Sequence, residues 1–264
     1  MSATTSTAPV PVPFAADRRS ALGQLALSEL KMFIRGKAGP VFAIGLPLGL
    51  LIIFGNIPFY NEHRESLDGH TLLDVYVPIL TAFVLATLSF NVVPAVLVGY
   101  REKGVLRRLR TTPVGPARML AAQLLVNLAT AALSVTAVLL VGRFAFGVPL
   151  PRQVGGYVVS IVLAALALMA IGLFIAAVSP SSQVADAVGT TLFYVMMFFA
   201  GLFLPIAVMP SLLRHVSRAA PLGAAVQALT DATQGHWPHP LQLITLAGYV
   251  VVFGAGAVKF FRWE

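Results

Sequence analysis

Chemistry in this 264-residue chain would have to come from few side chains. Ser89, Ser134 and Ser160 lie deep in apolar sequence, and His236 and His239 flank Trp237 and Pro238. A serine nucleophile needs a base within hydrogen-bond reach, and none of the three serines sits in a G-x-S-x-G turn. Hydroxyls in such surroundings bond helix carbonyls or a neighbouring helix, and the two histidines read as solvated interfacial residues. No H-x-x-x-H and no carboxylate pair stands at metal-ligand spacing. The absence of cysteine excludes disulfides, thiolate catalysis and cysteine metal sites. No G-x-x-x-x-G-K-[ST] loop occurs, so the chain itself is not expected to hydrolyse ATP. These residues yield no catalytic group, no metal site and no cofactor bound by this chain.

The chemistry that remains is charge. The stretch "YREKGVLRRLRTTPVGPARML", Tyr100 to Leu120, holds six of the 18 basic residues. Within it Val105, Leu106 and Leu109 fall within one turn of each other, Arg107 and Arg110 stand three apart on another face, and Thr112-Pro113 disfavours helix beyond. The pattern predicts a short amphipathic helix with an apolar patch for a partner and arginines for carboxylates or lipid phosphates. The same arginines also fit a second reading, in which they only fix membrane topology.

The elements that hold this segment follow from where charge is missing. The chain is 58% hydrophobic and 11% charged, well under the roughly 25% charged of soluble domains, and its mean hydropathy is strongly positive. Uncharged runs occupy 38–61, 75–100, 119–142, 153–185, 187–213 and 232–258, each at least 24 residues long. A spanning helix needs about 20 such residues. "LLVNLATAALSVTAVLLVG", Leu124 to Gly142, reads as apolar on every face, unlike a buried helix of a soluble protein. The expected fold is an all-α integral membrane protein with six transmembrane helices, at about 41–59, 76–99, 119–142, 155–178, 187–208 and 240–258, in a single domain over 20–264.

Basic residues near span ends are retained on the cytoplasmic side. With six spans both termini share a side, and that side collects 13 of the 18 basic residues against five opposite. The termini are therefore expected in the cytoplasm. The net charge of +8 then reports topology and attraction to anionic membrane lipid, and no stacking or groove-reading motif supports a nucleic-acid partner.

Residues 1–19 read as a disordered tail, since "MSATTSTAPVPVPFAA" lacks both a charged start and a long apolar core. Leu22, Leu25, Leu30 and Phe33 recur at near-helical spacing over 20–37, which predicts an N-terminal interfacial helix. From Met209 to Pro240, Leu212, Val216 and Ala219, then Leu222, Val226 and Leu229, predict two short amphipathic helices broken at Pro221. They lie flat in the outer interface or dip in as an external re-entrant hairpin.

Span five, "TLFYVMMFFAGLFLP", concentrates aromatics and methionines, which suit a polyspecific apolar path. Phe193, Tyr194, Phe198 and Phe199, with Asn91 of span two as a polar contact, are the candidate substrate path; the other reading is membrane packing by the rings and a tie between helices by the Asn91 amide. Gly201 and Pro205 are expected to bend this helix. A gradient-driven carrier or channel is the alternative, but such proteins place ionisable residues inside the membrane. The six runs contain no Asp, Glu, Lys or Arg.

"REKGVLRRLRTTPVGPARML" closely resembles the cytoplasmic motif of type-2 ABC exporter permeases, the family that includes the daunorubicin-resistance permeases of actinobacteria. The motif opens on Arg-Glu-Lys-Gly and continues through an apolar-basic run; Arg101, Glu102, Lys103, Gly104, Leu109, Arg110, Thr111 and Pro113 match it. "FFAGLFLPIAVMP", Phe198 to Pro210, and the ending "KFFRWE" are similar to family segments as well, so the resemblance runs from about Leu22 onward. It implies a cytoplasmic coupling helix between spans two and three that docks on a separate ABC ATPase subunit. The coupling residues would be Arg101, Glu102, Lys103, Gly104, Arg107, Arg108, Leu109, Arg110 and Thr111. It further implies a second permease copy, as a homodimer with two ATPase copies, and ATP and Mg held on the partner subunit. The implied function is ATP-driven efflux across the plasma membrane; the resemblance supplies no substrate, since drug, lipid and glycan exporters share the motif, and the cargo expected here is hydrophobic or amphiphilic, drug, antibiotic or lipid-like.

Overall fold

The fold is a bundle of helices in which one long helix, Val154–Val178, serves as the central post. The computed structural model describes residues 41–62, 69, 71–105, 108, 116–204, 206 and 209–260, with Gly23, Leu27, Leu30 and Lys31. The expected tail, most of the interfacial helix over 20–37, and Arg107, Leu109, Arg110, Thr111 and Pro205 lie outside the described residues.

In chain order the helices are α1 (Val41–Gly55), α2 (Pro58–Asn61), α3 (Leu72–Glu102), α4 (Pro116–Phe146), α5 (Val154–Val178), α6 (Ser182–Phe199), α7 (Ser211–Ala219), α8 (Pro221–Gln234) and α9 (Pro240–Phe260). Among the described residues, four are long and apolar enough to cross a membrane: α3, the Arg118–Phe146 part of α4, α5 and α9; α1 is a shorter apolar helix. Their outer faces carry bare aliphatic side chains, among them Leu133, Val158, Ile244, Val251 and Val252. Lipid is the solvent that such faces fit.

Helix ends follow local chemistry. Thr71 and Asp74 form a reciprocal capping box at the start of α3, with bonds of 2.9 and 3.1 Å. α6 ends at Phe199, because Gly201 takes a left-handed φ of +92°. Leu202 N–H then reaches the Met197 carbonyl at 3.2 Å and Gly201 N–H the Phe198 carbonyl at 3.1 Å, the Schellman closure. The span expected over 187–208 is thus helical only to Phe199, and Gly201 stops the helix instead of bending it.

Midway along α3, residues Leu88–Val92 widen into a π turn. Val93 N–H donates to Leu88, and Pro94 has no N–H to give. The carbonyls of Ser89 and Phe90 therefore lack their usual helical donors and point sideways. Gly172 of α5 faces the first and Gly189 of α6 the second; a methyl group at either glycine would collide with the oxygen. Such contacts between glycine Cα–H groups and carbonyls recur where helices approach closely.

α8 is sealed among α3, α5 and α9. Leu222, Ala224, Ala225, Val226, Ala228, Leu229 and Ala232 are all buried, although spacing places only Leu222, Val226 and Leu229 on one apolar face. Small side chains on the remaining faces let three helices close around it.

Candidate functional site

The site develops where α3 leaves the bundle. Leu97 and Val98 of α3 pack with Ala176 of α5 and Ala185 of α6, which sets the end of α3 beside the α5–α6 turn. On the next turn Tyr100 packs on Met119 of α4, with Val105 against them. The string Arg101-Glu102-Lys103-Gly104 emerges from that anchored base.

Arg101 turns toward the C-terminal end of α5, donating one guanidinium N–H to the Ala176 carbonyl at 3.3 Å and another to the Ser179 carbonyl. Glu102 turns toward the start of α6: its two carboxylate oxygens accept from the Ser182 backbone N–H and the Ser182 hydroxyl, both at 2.8 Å. A helix end leaves carbonyls or N–H groups unsatisfied and carries a partial charge of matching sign. A cation on the closing end of α5 and an anion on the opening end of α6 answer both needs. Glu102 lies past the uncharged run, and the Ser182 bonds, with lesser help from Arg101 and Lys103, hold its carboxyl below the usual range.

Gly104 adopts φ +66°, and its N–H bonds the Arg101 carbonyl at 3.0 Å. That left-handed residue ends α3 and redirects the chain. Lys103 and Arg108 are exposed beyond it, and Arg108 N–H returns to the Gly104 carbonyl at 3.2 Å. Of the expected coupling residues, Arg101 and Glu102 thus grip the neighbouring helices, Gly104 makes the turn, and Lys103 and Arg108 face outward.

The residues expected to line a substrate path are spread over several environments. Thr190 of α6 donates to Asn91 Oδ1 at 3.1 Å. Phe193 is buried with its ring edge-on to Phe83 at 5.2 Å, and Tyr194 beside it is 59% exposed. Phe198 and Phe199 are half-buried and edge-on to each other at 5.4 Å.

The structure also brings forward residues that the reading of α4 as apolar all round passes over. Gln123, Asn127, Thr130 and Ser134 are buried, and their spacing of four, three and four residues aligns them on one face. That spacing is visible in the sequence; the surrounding leucines and alanines hide it.

The family model described as "ABC-2 type transporter" matches residues 21–233. The Bacillus subtilis (strain 168) protein named "Putative transport permease YvfS" is similar, at 21% identity over 236 residues that cover 88% of this chain and 93% of that protein.

Proposed function

This chain belongs to the ABC-2 type transporter family, and from that premise we propose that it is the membrane-spanning subunit of an ATP-driven exporter of hydrophobic or amphiphilic compounds, drug, antibiotic or lipid-like. Membership makes it a transport permease, not an enzyme, and working with an ABC ATPase is the family's general pattern. In this proposal the ATPase is a separate chain that carries ATP and Mg, and two copies of it serve a homodimer of permeases in the plasma membrane.

We read six spans, with α1 and α6 joining the four long apolar helices. The 18 residues of α6 reach about 27 Å, close to the hydrocarbon thickness. The α7–α8 pair is read as re-entrant: Tyr249, nine residues into α9 and so about 13 Å along it, donates its hydroxyl to the Ala219 carbonyl at the corner between the two helices. With both termini in the cytoplasm, the end of α3 faces the ATPase.

The observation that carries the coupling role is the double grip of Arg101 and Glu102. A push on the segment after Gly104 is transmitted by those two side chains to α5 and α6 together, so one docking event moves three helices. The test is to co-express the permease with candidate ABC ATPases, isolate the complex and load it into vesicles. ATP-dependent movement of a fluorescent amphiphile supports the proposal. Movement driven by an ion gradient with no ATPase bound would favour a carrier instead.

A further inference from the structure

The buried face of α4 carries hydrogen-bonding atoms with nothing to bond. Among the described residues, Gln123 Oε1, Asn127 Oδ1, Asn127 Nδ2 and Ser134 Oγ are each shut off from solvent without a hydrogen-bond partner. Thr130 bonds the Val126 carbonyl at 2.8 Å. The four residues sit in the middle of the buried face, flanked by Ala122, Val126, Ala131 and Val135, while Leu125, Leu133 and Leu140 point outward. From Gln123 to Ser134 the stripe runs about 16 Å along the helix, half the hydrocarbon thickness.

α3 covers part of this face. Tyr100 packs on Met119 at one end of the antiparallel α3–α4 pair, and Val77 approaches Gly142 toward the other. α1 covers the same face from its start and its body, whereas Ser89, whose Oγ is also buried without a partner among the described residues, lies in the π turn of α3 that packs on α5 and α6.

Polar atoms held dry without partners are costly, and more so in a membrane, where no water relieves them. A chain needing only tight packing here would carry leucine or alanine. We propose that the seam of α4 with α1 and α3 parts during transport and that the amides and hydroxyls of α4 bind the neutral, hydrogen-bonding headgroup of an amphiphilic cargo. The seam offers donors and acceptors together and no formal charge. It therefore suits a sugar or amide headgroup, whose groups both give and accept hydrogen bonds, over a carboxylate or phosphate, which only accepts. This rests on the exporter reading and supplies its cargo class.

The native chain lacks cysteine, so single cysteines can be read without background. We would place them at Asn127 and Ser134, with outward Leu133 and Leu140 as controls, in the ATPase-bound complex in vesicles. A small water-soluble methanethiosulfonate reagent, whose sulfur is attacked by the hydrated thiolate with loss of methanesulfinate, then reports whether the seam opens. During ATP turnover, faster modification at 127 and 134 than at the controls is expected. Octyl glucoside below its micelle threshold should slow it about fivefold, the worth of one neutral hydrogen bond, and decanoate should not.

Equal, slow modification at all four positions would overturn the seam. Modification that octyl glucoside leaves untouched would overturn the headgroup site and leave a water-filled crevice. ATP-driven transport of a fluorescent amphiphile is followed in parallel with the cysteine-free complex. Transport with a dry seam sinks this inference alone, whereas absence of ATP-driven transport sinks the exporter reading.

Asn127→Leu gives a second measure, because removing an orphaned amide relieves the resting fold. Its thermal midpoint should rise while transport of a fluorescent alkyl glucoside falls about fivefold. A rise in stability with unchanged glucoside transport would also overturn the proposal.

Discussion

Gly172 of α5 lies against the carbonyl oxygen of Ser89 in α3, so close that one added methyl group would overlap it. The cause is the π turn of α3, which leaves two carbonyls without helical donors because Val93 donates elsewhere and Pro94 donates nothing. The oxygens are accommodated by glycine on each neighbouring helix, so three helices are keyed at one depth.

Gly172→Ala and Gly189→Ala should therefore each destabilise the permease by about 1–3 kcal/mol, the usual cost of overpacking. Gly248→Ala is the control, since nothing lies within 4 Å of a methyl group there, and it should be neutral or stabilising by up to about 1 kcal/mol. Thermal unfolding in detergent measures all three. Equal midpoints for Gly172→Ala and Gly248→Ala would show that the α3–α5 contact yields readily.

Glu102 and Ser182 should act as one unit in coupling. Glu102→Ala and Ser182→Ala are each expected to lower substrate-stimulated ATPase activity of the complex, the first more because it also frees the Ser182 N–H. The double variant should resemble Glu102→Ala alone. Multiplying losses would mean that Glu102 works through the ATPase and not through α6. Because the carboxyl is held below its usual range, the grip is complete at neutral pH and is lost only as the pH falls through that lowered value. Coupling should thus stay constant from neutral down to mildly acidic pH in the wild type.

Much of this was legible from sequence, and what was not has specific causes. Long runs without charge mark α3, α4, α5 and α9, since no polar stripe interrupts their lipid-facing sides. The end of α6 was hidden because Gly201 sits inside an apolar run that continues past it; its left-handed φ is a backbone property with no hydropathy mark. The grip of Glu102 on α6 was hidden because its partner Ser182 stands eighty residues away. α8 shows the limit of periodicity: spacing reports one apolar face, while burial of Ala224, Ala225 and Ala228 depends on which helices arrive from elsewhere.

Orientation can be tested with the same cysteine-free background. Gln234 and Gln183 are both exposed and sit at opposite ends of the bundle, beside the α5 start and the α5–α6 turn respectively. A cysteine at 234 should react with an impermeant maleimide in intact cells, and one at 183 only after permeabilisation. The reverse pattern would place the end of α3 outside and remove it from any cytoplasmic ATPase.

Phe193 and Tyr194 adjoin in sequence but should separate packing from substrate contact. Phe193 lies in the core edge-on to Phe83, so Phe193→Ala should cost about 3–5 kcal/mol by leaving a cavity and should lower transport of every substrate alike. Tyr194 makes an edge contact with Phe193 and presents most of its surface outward, so Tyr194→Ala should leave the stability within about 0.5 kcal/mol of the wild type. If its ring lines the route between two permease copies, its loss should change the rank order among amphiphiles, because flat and cationic compounds gain most from an aromatic face. The measurement is export of a flat cationic dye and of a neutral aliphatic amphiphile by complexes matched for ATPase content. A larger loss for the dye places Tyr194 on the route; equal transport of both by wild type and variant leaves it facing lipid.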